Sequence, residues 1–217
     1  MIRVLAVTLG VAAAGVMVGF YIVAFLLYHP ATATASNSTS GTANITLQVV
    51  PAYGSAPTPD WVSYFVQDSA GTWRHSTYFT VPAHSLINVT IYQFDSASGF
   101  RNPLWGQVRG TADGTMTVNG KQVQMIDPAT AGHSFTIPDL GVSVPLLGIP
   151  ATAKNVCGAG PCDPKSSDHT TVTFSFRTGG PGEIRWQCFV PCAAGFFQGW
   201  GGPMQSIGYM DGEMIVQ

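Results

Sequence analysis

Val4 to Tyr28 is a run of 25 residues without a charge. About 20 apolar residues suffice for a helix to cross the hydrocarbon core of a bilayer, and a longer run crosses with tilt. The run also exceeds the apolar core of a secretory signal, roughly 7–15 residues. The sequence therefore predicts a transmembrane anchor over residues 1–28. Ala33-Thr34-Ala35 has the small-residue form of a signal cleavage site, so removal of the segment stays open. Arg3 and the amino terminus carry the only positive charges near it, which keeps the N-terminus cytoplasmic and the rest of this single-pass chain outside the cell membrane, extracellular or periplasmic. Cysteines in that oxidising compartment pair unless something else holds them.

Beyond the anchor the pattern is β. Only 9% of residues are charged, against about 25% in an ordinary soluble domain, and 25 Gly and 15 Pro suit short strands joined by turns. The net charge of −2 and the lack of any Lys/Arg run give no electrostatic reason to expect nucleic acid. Residues 29–44, rich in Ala, Thr, Ser and Asn, read as a flexible tether. Asn37, Asn44 and Asn88 head N-x-[ST] sequons, which matter only where the cell glycosylates outside its membrane. Period-two alternation then predicts strands over 45–50, 61–66, 78–81, 86–92, 133–137, 171–176, 183–187 and 212–216. The segment 95–127 is too long for a plain connection, and Asn119-Gly120 predicts a small hairpin within a surface excursion. A Pro-rich loop is expected between 137 and 171. These elements describe an all-β Greek-key sandwich over residues 45–217, with no helix beyond the anchor.

Four cysteines fall into two pairs. Cys157-Gly-Ala-Gly-Pro-Cys162 closes a tight loop with no histidine or carboxylate inside it and reads as a structural disulfide. Cys188 and Cys192, four apart near the C-terminus, read either as a second local disulfide or as two soft donors for copper, which His133 upstream could complete. His75, His84 and His169 read as exposed rather than ligating. Trp186, Phe189, Phe196, Phe197 and Trp200 read either as a docking face for a redox partner or as a packed sandwich end. The sequence holds no G-x-S-x-G, P-loop or H-E-x-x-H. Ser134 directly follows His133 on a strand and so points to the opposite face, which excludes a dyad.

The run Gly182-Glu183-Ile184-Arg185-Trp186-Gln187-Cys188-x-x-x-Cys192 resembles the copper loop of cytochrome c oxidase subunit II. Tyr209-Met210-Asp211-Gly212 with the closing strand, and His133-Ser134-Phe135 with Pro138, are similar to other parts of that pattern. The resemblance covers the anchor and roughly the last 90 residues. It implies a cupredoxin-like fold and, residue by residue, a metal set of His133, Cys188, the Val190 carbonyl, Cys192 and Met210. The family's second histidine falls on Phe196 or Ile207, so one imidazole is missing. Gly199-Trp200-Gly201-Gly202-Pro203-Met204 is an insertion relative to that subunit, similar to one in bacterial and archaeal cupredoxin-domain proteins. Three outcomes stay open. They are a dinuclear copper centre with an under-coordinated ion, a mononuclear site of His133, one Cys and Met210 or Met204, and a metal-free fold with its thiols paired. The implied function is an electron-transfer component of a haem-copper terminal oxidase or related respiratory complex, with other subunits and an external redox carrier as partners. The alternatives are a copper-free accessory subunit and a Cu(I)-handling protein; none is catalytic by itself.

Overall fold

The computed structural model describes residues 2–27, 31–39, 41–54, 60–154, 157–158, 160–193 and 202–217. Two compact units divide at Pro30/Ala31. The first is helix α1 (Ile2–Tyr21), which continues as a π-helical turn over Ile22–Leu26. Arg3–Ala24 is long and apolar enough to cross a membrane, a property that a signal sequence shares.

The second unit is built of β1 (Ala33–Thr34), β2 (Ser36–Thr39), β3 (Thr42–Tyr53), β4 (Trp61–Gln67), β5 (Trp73–Arg74), β6 (Tyr78–Val81) and β7 (Leu86–Gln93). Then come β8 (Met116–Val118), β9 (Lys121–Val123), β10 (Ala131–Ile137), β11 (Val142–Leu147), β12 (Thr170–Arg177), β13 (Gly182–Gln187) and β14 (Asp211–Val216). One sheet runs β1-β6-β14-β13-β10-β11; the other runs β5-β4-β3-β7-β12-β8-β9, with β2 paired to β3. The result is an all-β sandwich of two sheets. Alternate residues of β7 and β12, Ile87, Val89, Ile91, Val172 and Phe176 among them, are removed from water and face Phe135, Trp186 and Met214 of the other sheet. Such alternation is what a half-buried strand requires.

Three parts of the chain depart from the expectations. Residues 33–39, read as tether, form β1, parallel to β6, and β2, antiparallel to β3. They are held by backbone pairing and by burial of the small Ala33 and Ala35, a combination that leaves no hydrophobic periodicity. The expected Pro-rich loop contains β11, which lies at the sheet's edge, where Pro145 gives up no ladder bond that a central strand would need. The 95–127 excursion does carry its hairpin, with Asn119 and Gly120 at φ 49° and 82°. However, β8 also pairs with β12 and buries Met116 and Val118, so the hairpin extends the sheet.

Cys157 and Cys162 are bonded to each other. Cys162 packs with Val50 and Phe65 of the second sheet and with Phe94, and donates its N–H to Gln48 Oε1 at 2.7 Å.

Candidate metal centre

Four segments meet at one end of the sandwich. β10 carries His133 one residue after a register shift that follows Ala131. The loop leaving β13 carries Cys188, Val190 and Cys192, the loop entering β14 carries Met210, and the turn after β7 carries Asp95. The Cys188 N–H donates to the Met210 carbonyl at 2.9 Å, which continues the β13–β14 ladder past its last paired residues and fixes the two loops against each other. Further in, Arg185 and Asp211 make a two-pronged charge-assisted clasp across the same strands.

The structure brings His133, Cys188 and Cys192 together: their donor atoms lie within 4.8 Å of one another. Neither Cys188 nor Cys192 is in a disulfide. His133 Nδ1 is 3.8 Å from Cys188 Sγ, and its Nε2 is 2.9 Å from Asp95 Oδ2. The Cys188 sulfur accepts the Ser134 N–H at 3.3 Å and lies 3.3 Å from the Val190 carbonyl oxygen. Met210 is fully buried in the same apolar cluster as Cys188 and Val190, and Cys192 packs against that cluster. Ser134 serves the loop from the other side, its Oγ accepting the Phe189 N–H at 2.8 Å. The fully buried Tyr64 donates its hydroxyl to the Ser134 carbonyl at 2.9 Å.

The electrostatics follow from this packing. Burial alone would depress the His133 imidazole, but its hydrogen bonds to Asp95 and Cys188 outweigh that and lift it to about 9. Burial likewise opposes the Cys188 thiolate, yet the hydrogen bonds from Cys192 and His133 bring it well below the usual thiol range. Cys192 moves the other way, pushed up by its hydrogen bond to Cys188 and by burial. The resting arrangement is an imidazolium–thiolate pair beside a neutral thiol, with the Asp95 carboxylate behind the ring. A soft ion bound there would replace the Nδ1 proton and the Cys192 proton and be held by one imidazole and two thiolates, and the donor set fits copper: thiolate and thioether suit Cu(I), and imidazole suits both oxidation states.

Among the described residues, His75, His84 and His169 lie outside this cluster. His84 is exposed, as expected. His75 is not: its ring stacks 3.9 Å from Tyr53, touches Phe65 and Tyr209, and is bonded to Ser63 Oγ at 2.9 Å. His169 is half-buried against Tyr92 and Phe94. Ile207, one position for the missing histidine, is 44% exposed and offers no donor side chain. The other position, Phe196, lies outside the described residues with Phe197 and Trp200. Met204 packs half-buried against the core. Trp186 is a core residue, with its Nε1–H donated to the Thr77 carbonyl, whereas Phe189 stays 38% exposed at the rim. Asp95 is the site residue that sequence reasoning missed. It stands 38 residues before its histidine in an irregular stretch, and no local motif marks it.

No protein-family model matches the sequence, and no curated protein matches it. Among solved structures, the chain is similar to the metal-binding domain of the Cu(I)-exporting P-type ATPase CopA of Streptococcus pneumoniae D39, at 9% identity and TM-score 0.38 over 88% of this chain and 99% of that one. It is also similar to rusticyanin from Thiobacillus ferrooxidans, at 16% identity and TM-score 0.35 over 86% of this chain and 82% of that one.

Proposed function

We propose that this chain is a membrane-anchored copper protein of cupredoxin-like fold that transfers single electrons outside the membrane, on the plan of subunit II of a haem-copper terminal oxidase. The observation that carries the reading is the convergence of His133, Cys188 and Cys192, with Met210 and the Val190 carbonyl, in the order along the chain that such a site requires. Copper bound there would supply a one-electron couple. The chain's own residues fix the donors before any ion arrives: the Met210 carbonyl holds Cys188, Ser134 holds both Cys188 and Phe189, and Asp95 holds His133. A site held this firmly changes oxidation state with little rearrangement, which is what rapid electron transfer needs. The anchor, with Arg3 on the cytoplasmic side, would keep the domain at the outer surface, beside the other subunits of a respiratory complex and within reach of an external carrier.

A second reading is favoured by one observation, the excess of sulfur over imidazole: two thiols and one ring among the described donors suit Cu(I) storage or transfer. The full chain in detergent, reduced and then titrated with copper, separates the two readings by visible absorption and electron paramagnetic resonance. Thiolate-to-copper charge-transfer bands with a reversible one-electron couple are the expected result. Tight Cu(I) uptake without those bands supports the Cu(I)-handling reading. Failure to take up copper, with Cys188 and Cys192 recovered as a disulfide, overturns both and leaves a metal-free accessory protein.

A further inference from the structure

The turn after β7 is pressed onto the back of His133 by contacts that have no evident role in the sandwich core. Gly132 sits in the bulged start of β10, where a Cβ would stand 2.4 Å from the Ser96 carbonyl oxygen. Gly148, just past β11, has the same relation to the turn: a Cβ there would stand 2.4 Å from the Ala97 nitrogen. Only glycine admits the 95–97 backbone so closely on both sides. Three backbone bonds fasten the turn, Ile149 N–H to Asp95 O at 2.9 Å, Ser98 N–H to Ala131 O at 3.0 Å, and Gly99 N–H to Ala129 O at 3.1 Å. Within the turn, the Ser96 N–H donates to Asp95 Oδ1 at 2.7 Å. That bond leaves Oδ2 to face His133 Nε2 at 2.9 Å.

We infer that Asp95 is a positioning residue for the metal centre, which fixes His133 with Nδ1 toward the sulfurs and, through its charge, biases a bound copper toward the oxidised state. The inference rests on the copper reading above and deepens it. With Nε2–H committed to a carboxylate, the lone pair available to an ion is on Nδ1, the nitrogen that faces Cys188. The carboxylate also pushes electron density into the ring, which strengthens it as a donor and favours the more highly charged ion. Orientation and charge are separable, because asparagine at position 95 still offers an oxygen to Nε2–H but no negative charge.

Nitrogen-15 spectra of the metal-free full chain, labelled at histidine, read the orientation without copper. The His133 Nε2–H signal shows a strong hydrogen bond in the unmodified protein and in Asp95→Asn, and Asp95→Ala loses it. Equilibrium titrations with Cu(II) and with Cu(I) then read the charge. Asp95→Asn lowers Cu(II) affinity about 10–100-fold, the range for removing a partner behind a metal-bound histidine, and lowers Cu(I) affinity less, so that the ratio of Cu(II) to Cu(I) affinity falls. Unchanged His133 nitrogen signals in Asp95→Ala overturn the inference, and so does an unchanged affinity ratio in Asp95→Asn. If the unmodified protein takes up no copper, the copper reading fails, and the nitrogen spectra still decide the orientation of the ring.

Discussion

At the scale of single residues, the proton inventory of the site decides how it takes up a metal. Around neutral pH His133 carries a proton on each ring nitrogen, Cys188 is a thiolate and Cys192 keeps its proton, because the first two stabilise each other's charges and Cys192 donates to Cys188. An ion using all three donors displaces the Nδ1 proton and the Cys192 proton, so uptake at neutral pH releases roughly two protons per ion. Potentiometry of an unbuffered titration checks this, and affinity rises with pH, steeply below about 9 and with the slope of the single Cys192 proton once His133 has titrated. His75 gives a second test at this scale. Burial among Tyr53, Phe65 and Tyr209 lowers its imidazole to about 4, below its unfolded value near 6.5. The folded state therefore binds fewer protons than the unfolded state between those values. The stability so contributed is present above about pH 6.5 and is lost as pH falls through about 4. Thermal midpoints across that window fall more steeply for the native protein than for His75→Gln, which keeps a partner for Ser63; equal slopes would refute the assignment. His133, Cys188 and Cys192 were legible in the sequence because thiol spacing and the surrounding motif place them. Asp95 and the His75 cage were not, since each is assembled from distant strands that carry no spacing rule.

At the scale of elements, what the sequence showed depended on how each strand earns its place in the sandwich. β7 and β12 bury one face in a deep core, and their period-two pattern predicted them to within a residue at each end. β11 owes its position to pairing at an edge, and Pro145 disguises it. β1 and β2 owe theirs to backbone bonds and small side chains, which composition reports as linker. The strands under the metal loops add a constraint that only the assembled sheet reveals. Gly212, the second residue of β14, lies against Thr77, whose carbonyl accepts both the Trp186 indole N–H at 3.0 Å and the Glu213 N–H at 3.2 Å. A Cβ at position 212 would stand 2.2 Å from that carbonyl oxygen and 2.4 Å from Thr77 Cβ. Gly212→Ala therefore forces β14 off β6 and costs about 1–3 kcal/mol. Denaturant unfolding measures the loss, and a substitution within experimental error of wild type would show that the strands part without strain. Because β14 begins beside Met210, the same variant also weakens copper uptake.

For the whole molecule, the boundary between the N-terminal helix and the domain is where sequence and structure differ most usefully. The alternation of residues places the start of the domain at residue 45, whereas the folded unit begins at Ala31, with Ala33 and Ala35 buried and β1 extending the first sheet beyond β6. Ala35 donates its N–H to the Thr80 carbonyl at 2.9 Å, so β6 has a partner on each side, β1 and β14. Removing residues 31–44 leaves β6 as an edge strand, and its Phe79 and Val81 lose part of their cover. An unprotected strand edge both destabilises the sheet and invites pairing with another copy. Two truncations test this directly. A chain starting at Ala31 unfolds cooperatively, stays monomeric and takes up metal as the full chain does. A chain starting at Ile45 has a thermal midpoint several degrees lower, since a domain of this size loses about 2–4 °C for each kcal/mol, and it associates on standing. Light scattering and calorimetry on the pair decide the matter. Equal midpoints and equal dispersity would mean that residues 31–44 are a tether after all, and that the core of the sandwich holds β6 without them.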